Sequence, residues 1–378
     1  MTERCLSSPP RRPHYDRMIA ADTRLGRSMH IPDGYLSPST CAVLYTGAAA
    51  GWYGALRRLK HALATRVIPL ISVFAAFSFV MMMFNLPLPG GTTGHALGVT
   101  VAAIVLGPSG AILALSIAIA IQALFFGDGG ISTLGANCFN MAVVGSLVAY
   151  ASYHVIAARS VLGSRRRVIA AAVAGYLAVN AAALCAAIEF GSQPLLFHDA
   201  SGTPLYAPYG FGVAIPAMMI GHLTFAGMAE AVISAGIVAY LQVSDPVLLR
   251  GTAGFGRTSS AAAEIAPRNS VRRLWIAIAV LLLLTPLGIL AAGTAWGEWS
   301  PAELAHLADN VPVGPAPAGL QRLAHLWTAP FPAYAPGFVH SRSFGYLLSA
   351  MFGVGLLLCL SLVAQSAVER LRRRGSPA

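Results

Sequence analysis

Long apolar stretches, separated by short polar or basic turns, run through the chain from about residue 37 to residue 367. They lie near 37–58, 66–86, 96–107, 109–126, 134–157, 167–189, 214–242, 272–293 and 344–367. A helix rises about 1.5 Å per residue, so a bilayer core of about 30 Å needs about 20 apolar residues. The pattern therefore predicts membrane helices. The third and fourth segments form one run broken at Gly107-Pro108-Ser109-Gly110, where glycine and proline together stop a helix. Residues 244–271 are polar and rich in Gly, Ser, Arg and Ala, and read as a linker between a seven-helix unit and a two-helix unit. The expectation is an all-α polytopic membrane protein.

Composition agrees. Of 378 residues, 56% are hydrophobic and 10% charged, against roughly a quarter charged in an ordinary soluble domain. Mean hydropathy is +0.66. A disordered chain would need the opposite balance. The net charge of +11 reads as membrane topology, not as a nucleic-acid footprint. Basic clusters are Arg57, Arg58, Lys60 and Arg66; Arg159, Arg165, Arg166 and Arg167; Arg250, Arg257, Arg268, Arg272 and Arg273; and Arg370, Arg372, Arg373 and Arg374. They follow the first, fifth, seventh and ninth segments, so all four fall on one side, the cytoplasmic one by the positive-inside rule. The loops 87–95, 127–133, 190–213 and 294–343, and the chain near residue 30, then face outward. Cys5, Cys41, Cys138, Cys185 and Cys359 are scattered and form no CxxC, so neither a disulfide framework nor a thiolate zinc site is supported.

Residues 1–28 do not fit this frame. They carry six arginines and three acidic residues, and their longest apolar run is Met18-Ile19-Ala20-Ala21. A signal peptide needs an apolar stretch of about 7–15 residues. They would also put basic sequence outside. Two readings stand: translation begins at Met29 or the segment is removed, or the extension is simply present.

Met29-His30-Ile31-Pro32-Asp33-Gly34 carries the candidate chemistry. With a free Met29 amine, the amine nitrogen, the His30 backbone nitrogen and the His30 imidazole can chelate one cation in a plane, through fused five- and six-membered rings. One further nitrogen completes a square plane, which suits Ni(II) and Cu(II). The amine has a pKa near ~7.7–8.0 and loses its proton at little cost. Pro32 stiffens the chain after the chelate and Gly34 permits a tight turn. The fourth nitrogen belongs on an outer loop. Pro87-Leu88-Pro89-Gly90-Gly91-Thr92-Thr93-Gly94-His95 lies on that side and ends in one histidine. A histidine at a helix entrance also serves as a cap or polar contact, so His95 is a candidate by its company with Met29 and His30.

These motifs resemble the CbiM/NikM substrate-binding (S) component of energy-coupling-factor nickel and cobalt transporters. The resemblance continues through Gln122-Ala123-Leu124-Phe125-Phe126-Gly127-Asp128-Gly129-Gly130, Leu134-Gly135-Ala136-Asn137 and Gly227-Met228-Ala229-Glu230-Ala231-Val232-Ile233. It implies a seven-helix core over 29–243, with Met29 (amine), His30 (backbone and imidazole nitrogens) and His95 as ligands. The 66-residue separation of Met29 and His95 agrees with the family pattern when Met29 is counted first. The prefix 1–28 would block the amine, which favours a start at Met29. Residues 272–378 are similar to the small two-helix NikN/PDGLE-like partner, on Leu284-Thr285-Pro286-Leu287-Gly288 and Gly293-Thr294-Ala295-Trp296-Gly297-Glu298-Trp299. The resemblance implies a multi-pass inner-membrane protein with an extracytoplasmic metal site, no catalytic residues and no resident cofactor, and Ni(II) or Co(II) as cargo. It implies as partners a membrane coupling (T) subunit and ABC-type ATPases, with a small accessory membrane subunit as a further candidate, and no nucleic acid. The chain has no GxxxxGK[ST] phosphate loop of its own.

The remaining polar residues have simpler first readings. Gly127-Asp128-Gly129-Gly130 reads first as a turn and second as a loop that orients a ligand. Asn137 and Asn140 read first as partners between helices, second as bonds to the binding loops. His222 and Glu230 are ionisable groups in a membrane segment, read first as structural hydrogen bonding and second as an ion path. Met81-Met82-Met83 point three ways on a helix and read as packing. Gly47-Ala48-Ala49-Ala50-Gly51 offers a surface for close helix approach. Two other classes remain in view: a stand-alone ion-coupled secondary metal transporter using charges such as Glu230, and a membrane-embedded metalloenzyme, for which no second catalytic group stands out.

Overall fold

A computed structural model describes residues 30–59, 67–88, 92–158, 160–252, 268–291, 294–308 and 316–375. Met29 and the prefix 1–28 lie outside these, as do Lys60, Arg66, Arg159, Arg257 and Pro89–Gly91. The described residues are helical, with one two-stranded hairpin among them.

Helix α1 (Pro38–Leu59) begins where Ser37 Oγ accepts the Thr40 N–H at 3.1 Å and Pro38 takes the first helical position. It ends on Arg57 and Arg58, which favour the negative end of the helix dipole. A Cβ at Gly47 would stand 2.9 Å from the Phe139 ring, and one at Gly51 2.6 Å from Val143. The small-residue surface is thus where helix α4 (Leu134–Ala157) packs against α1. Helix α2 (Val67–Met82) is buried at every position but Pro69, as expected of a bundle's central helix. Met81, Met82 and Met83 lie in this core.

After α2 the chain leaves the helix for an antiparallel hairpin, β1 (Asn85–Leu88) and β2 (Thr92–His95), with Asn85 opposite His95. The loop expected at 87–95 is therefore partly a ribbon. Helix α3 (Val99–Phe126) follows and is broken at Gly107, whose φ of 72° and ψ of 170° are non-helical. Glycine tolerates that conformation, and the following Pro108 disfavours a helical one before it. Unbroken, 28 residues would extend about 42 Å. Yet residues just before and just after α3 both meet His30: the His95 ring lies 5.2 Å from the His30 ring, and the Asp128 carbonyl 3.3 Å from His30 Nδ1. The chain therefore doubles back at Gly107, and the Gly–Pro break divides the run as its sequence implies.

The short inward limb starts in the bundle interior, and its first amides need an acceptor there. Glu230, fully buried on helix α6 (Phe211–Ser244), supplies it: Oε2 accepts from Leu97 N–H at 2.8 Å and Gly98 N–H at 3.1 Å. The structural reading of Glu230 holds. Replacing Glu230 by alanine is expected to strand both amides and cost about 1–3 kcal/mol. A thermal-unfolding scan in detergent should show a lower midpoint for Glu230→Ala than for Glu230→Gln, which keeps an acceptor. Helix α5 (Arg165–Leu196) lies against α6, close enough that a Cβ at Gly175 would stand 3.0 Å from the Glu230 carbonyl.

The C-terminal helices join this bundle directly. Helix α7 (Arg268–Leu284) is tied to the end of α6 by Arg273 Nη1 donating to the Ser244 carbonyl at 2.9 Å. Two short helices, α8 (Pro301–Ala308) and α9 (Ala318–Leu323), lie in the long loop before helix α10 (Arg342–Gly375). On α10, Tyr346 donates to the Met83 carbonyl at 2.7 Å, and Gly353 lies against Phe79 of α2. Arg57, Arg58, Arg165, Arg166, Arg272, Arg273 and Arg370 mark one end of the bundle. Arg167, from the same cluster, turns inward instead, donating from Nη1 to the Tyr153 hydroxyl at 3.2 Å. The N-terminal segment that carries His30 occupies the opposite end.

Candidate metal centre

Residues 30–37 form a buried plug, held by their own backbone. The Ile31 N–H donates to Asn137 Oδ1 at 3.0 Å. The Ile31 carbonyl accepts from Asn137 Nδ2 (3.1 Å), Gly130 N–H (3.0 Å) and Thr133 Oγ1 (2.5 Å). The Asp33 carboxylate accepts from the amides of Ile131 (3.1 Å) and Ser132 (2.7 Å) and from the Ser132 hydroxyl (2.5 Å). Gly34, at φ 91°, turns the chain so that the Tyr35 N–H reaches the Pro32 carbonyl at 3.5 Å. Tyr35 then donates to the Trp299 carbonyl at 2.6 Å, and Ser37 N–H to Gln193 Oε1 at 2.9 Å.

The plug and the loop 127–133 leave no room between them. A Cβ on Gly130 would stand 2.3 Å from the Asp33 amide nitrogen and 2.5 Å from its carboxylate. Gly130→Ala must therefore displace the plug or the loop. We expect it to weaken cation binding by about tenfold or more, since groups that orient ligands carry about 10–100-fold in affinity. Nickel titration of the purified variant checks this.

This docking brings two sequence-predicted residues together. His30 is 2% and His95 7% exposed, and their rings meet edge to face with centroids 5.2 Å apart. They share a cavity of about 430 Å³ with Thr93, Asn137, Asn140, His222, Trp296 and Glu298. His30 Nδ1 also faces the carboxylate of Asp128, with Oδ1 3.6 Å away. His95 Nδ1 lies 3.2 Å from the Ala96 carbonyl. Among the described residues, no three His, Cys, Asp or Glu side chains converge as a metal cluster. A cation bound between these imidazoles therefore needs further donors from elsewhere, such as backbone or terminal nitrogens. Met29, which would supply the amine, lies outside the described residues.

Of the other polar residues, Asn137 departs from its first sequence reading. Asn137 does not pair two helices; it clamps the Ile31 peptide through both amide atoms. Asn140 does pair between helices, donating to Glu189 Oε2 at 2.9 Å. The loop 127–130 is both a turn, with Gly127 and Gly129 at positive φ, and the source of Asp128 beside His30. His222 lines the cavity while its Nδ1 lies 2.8 Å from the Met218 carbonyl, as structural bonding requires. Three π-helical turns, Gln122–Phe126, Cys138–Val144 and His222–Ala226, lie at or beside this site, where such wide turns often occur.

The loop after α7 contributes more than its sequence indicates. Ala295 pairs with Thr93 of β2, and Trp296, Glu298 and Trp299 line the cavity. Glu298 is 7% exposed, and burial, reinforced by the charge of Asp128, pushes its carboxyl well above the usual carboxylate range. The only sequence signal was Trp296-Gly297-Glu298-Trp299 itself, since a loop without periodicity does not reveal what it covers. From the same region Tyr334 donates to Asp128 Oδ2 at 2.7 Å. Burial and the Asp128 charge hold that hydroxyl protonated, far above its ordinary range.

Comparison with known proteins places the chain. The family described as the cobalt uptake substrate-specific transmembrane region (CbiM) matches residues 30–248, and the PDGLE domain matches residues 272–370. The chain is 52% identical over 356 residues to a fused nickel transport protein NikMN of Rhodobacter capsulatus, covering 92% of this chain and 99% of that protein. It is 42% identical to a probable fused nickel transport protein LarMN of Lactiplantibacillus plantarum, covering 88% and 96% respectively. The crystal structure of a transition metal transporter superposes with a TM-score of 0.55 at 49% identity, covering 59% of this chain and 98% of that one. With its multi-pass helical fold, its paired imidazoles at the bundle end and a family match over more than half its length, the chain belongs to the CbiM family and carries a PDGLE domain after it.

Proposed function

We propose that this protein captures Ni(II) or Co(II) on the extracytoplasmic side of the inner membrane, as the substrate-binding component of an ATP-driven, energy-coupling-factor uptake transporter. One observation carries the reading: His30 and His95, 65 residues apart in sequence, meet in one cavity with their ring centroids 5.2 Å apart. The cation is held by the Met29 amine, the His30 backbone and imidazole nitrogens, and the His95 imidazole. Four nitrogens suit Ni(II), and Co(II) takes the same donors. The six-membered ring of this chelate uses His30 Nδ1. That nitrogen faces Asp128, so binding turns the imidazole or exchanges the Asp128 contact for the cation.

The side follows from charge. The basic residues crowd the end of the bundle away from His30, and the positive-inside rule makes that end cytoplasmic. Energy comes from partners, a membrane coupling subunit and ABC-type ATPases, because the chain has no nucleotide phosphate loop. The stand-alone secondary transporter would draw on Glu230, but that carboxylate is committed to the amides of Leu97 and Gly98. The test is reconstitution in liposomes: the protein alone should bind nickel without accumulating it against a gradient. Uphill uptake without ATPases would sink the reading in favour of a secondary transporter.

A further inference from the structure

The C-terminal region lends the cavity a carboxylate. Residues 295–298 form a tight turn: the Glu298 N–H donates to the Ala295 carbonyl at 3.2 Å, and Gly297 between them takes φ 82°. Both flanks of the turn are tied to the pieces that carry the imidazoles. Ala295 pairs with Thr93, two residues before His95. The Trp299 carbonyl accepts from the Tyr35 hydroxyl at 2.6 Å, in the plug that carries His30. Glu298 is thereby fixed on the wall of the cavity that His30 and His95 share.

Its carboxylate differs from the next one in the same loop. Glu303 accepts from the Ser300 N–H at 2.7 Å and from Thr294 Oγ1 at 3.2 Å. Glu298 is 7% exposed, and its Oε2 is buried and accepts no hydrogen bond from any described residue. A buried carboxylate oxygen left in that condition is costly to the fold, and the turn itself is held by backbone and needs no carboxylate. The nitrogen ligands leave the complementary deficit. A divalent cation held by an amine, two imidazoles and one deprotonated amide keeps net positive charge, which is costly in a buried cavity unless a counter-charge stands near.

We propose that Glu298 is the counter-charge of the captured divalent cation, supplied to the CbiM-type core by the PDGLE region. This rests on the reading of Met29, His30 and His95 as ligands. Cation and carboxylate each cover a charge that the rest of the cavity leaves open. Burial and the Asp128 charge disfavour the ionised form of Glu298, and a divalent cation alongside reverses that preference. The C-terminal region then strengthens capture without donating a nitrogen.

The test uses the full chain, purified with the amino terminus it carries in the cell, and Ni(II) alone as probe. Glu298→Gln keeps the shape and removes the charge. It should raise the nickel Kd about tenfold or more, the scale carried by groups that surround a metal's ligands. Glu298→Asp keeps the charge and should retain most of the affinity that Glu298→Gln loses. Thermal unfolding separates this from a structural role. The metal-free midpoint of Glu298→Gln should not fall below that of the unmodified protein, whereas its rise on adding a fixed nickel concentration should shrink. A Kd within twofold of the unmodified protein, an equal loss in the Gln and Asp variants, or a lowered metal-free midpoint with an undiminished nickel-induced rise overturns the proposal. His95→Ala is measured alongside. Its failure to reduce affinity would overturn the site reading and this inference with it, whereas nickel loss in His95→Ala without any effect of Glu298→Gln overturns the inference alone.

Discussion

His95→Ala is expected to abolish high-affinity nickel binding while leaving the bundle folded. Orienting groups alone are worth about 10–100-fold in metal affinity, so removing a direct ligand should cost on the order of 100-fold or more. Folding should survive because His95 is the last residue of a short ribbon lining the cavity, and the β1–β2 pairing runs through the backbone. The measurement is equilibrium dialysis with nickel at increasing concentration, with thermal unfolding alongside. Unchanged affinity would exclude His95 as a ligand and, with it, the convergence on which the proposed function rests.

Exposing the Met29 amine should have an effect of similar size in the opposite direction. A protein beginning at Met29 can present amine, amide and imidazole in two fused rings. One that retains the whole segment before Met29 cannot, since an amide nitrogen replaces the amine. The expected difference is on the order of 100-fold in nickel affinity, by the same reasoning about a direct ligand. Affinity of the free-amine form should also fall as pH drops below about 7.7–8.0, where the amine is protonated and the cation must displace that proton. Intact-mass analysis of the native, metal-loaded protein reads the first residue and the metal together. Equal binding by a verified extended form would remove the amine from the ligand set and leave His30 and His95 to be completed by other donors.

Much of the architecture was legible in the apolar runs, because a bilayer imposes length and composition on anything that crosses it. The Gly107-Pro108 pair marked a break that the backbone dihedral at Gly107 shows. The glycines at 47 and 51 marked the face where α4 approaches. Charge alone separated the two ends of the bundle. Other features were hidden. Amide side chains bond across helices or to loops with equal ease, so nothing in the sequence distinguished the clamp at Asn137 from the helix pair at Asn140. Glu230 read as an ionisable group in a membrane segment, but its partners, the amides of Leu97 and Gly98, are backbone and carry no sequence mark.

The sequence by itself determined that the chain is a helical membrane protein, which residue types could chelate a cation, and that one histidine lay at the end of a glycine-rich loop. These depend on local composition and short spacing. The tertiary structure decided that α3 folds back to bring both His95 and Asp128 beside His30, and that Tyr35 and Gly34 are covered by the C-terminal region. It also decided that Tyr334, more than 200 residues away in sequence, holds Asp128. Contacts at that separation are set by which helix faces must be buried together, and periodicity within one helix carries no record of its neighbour.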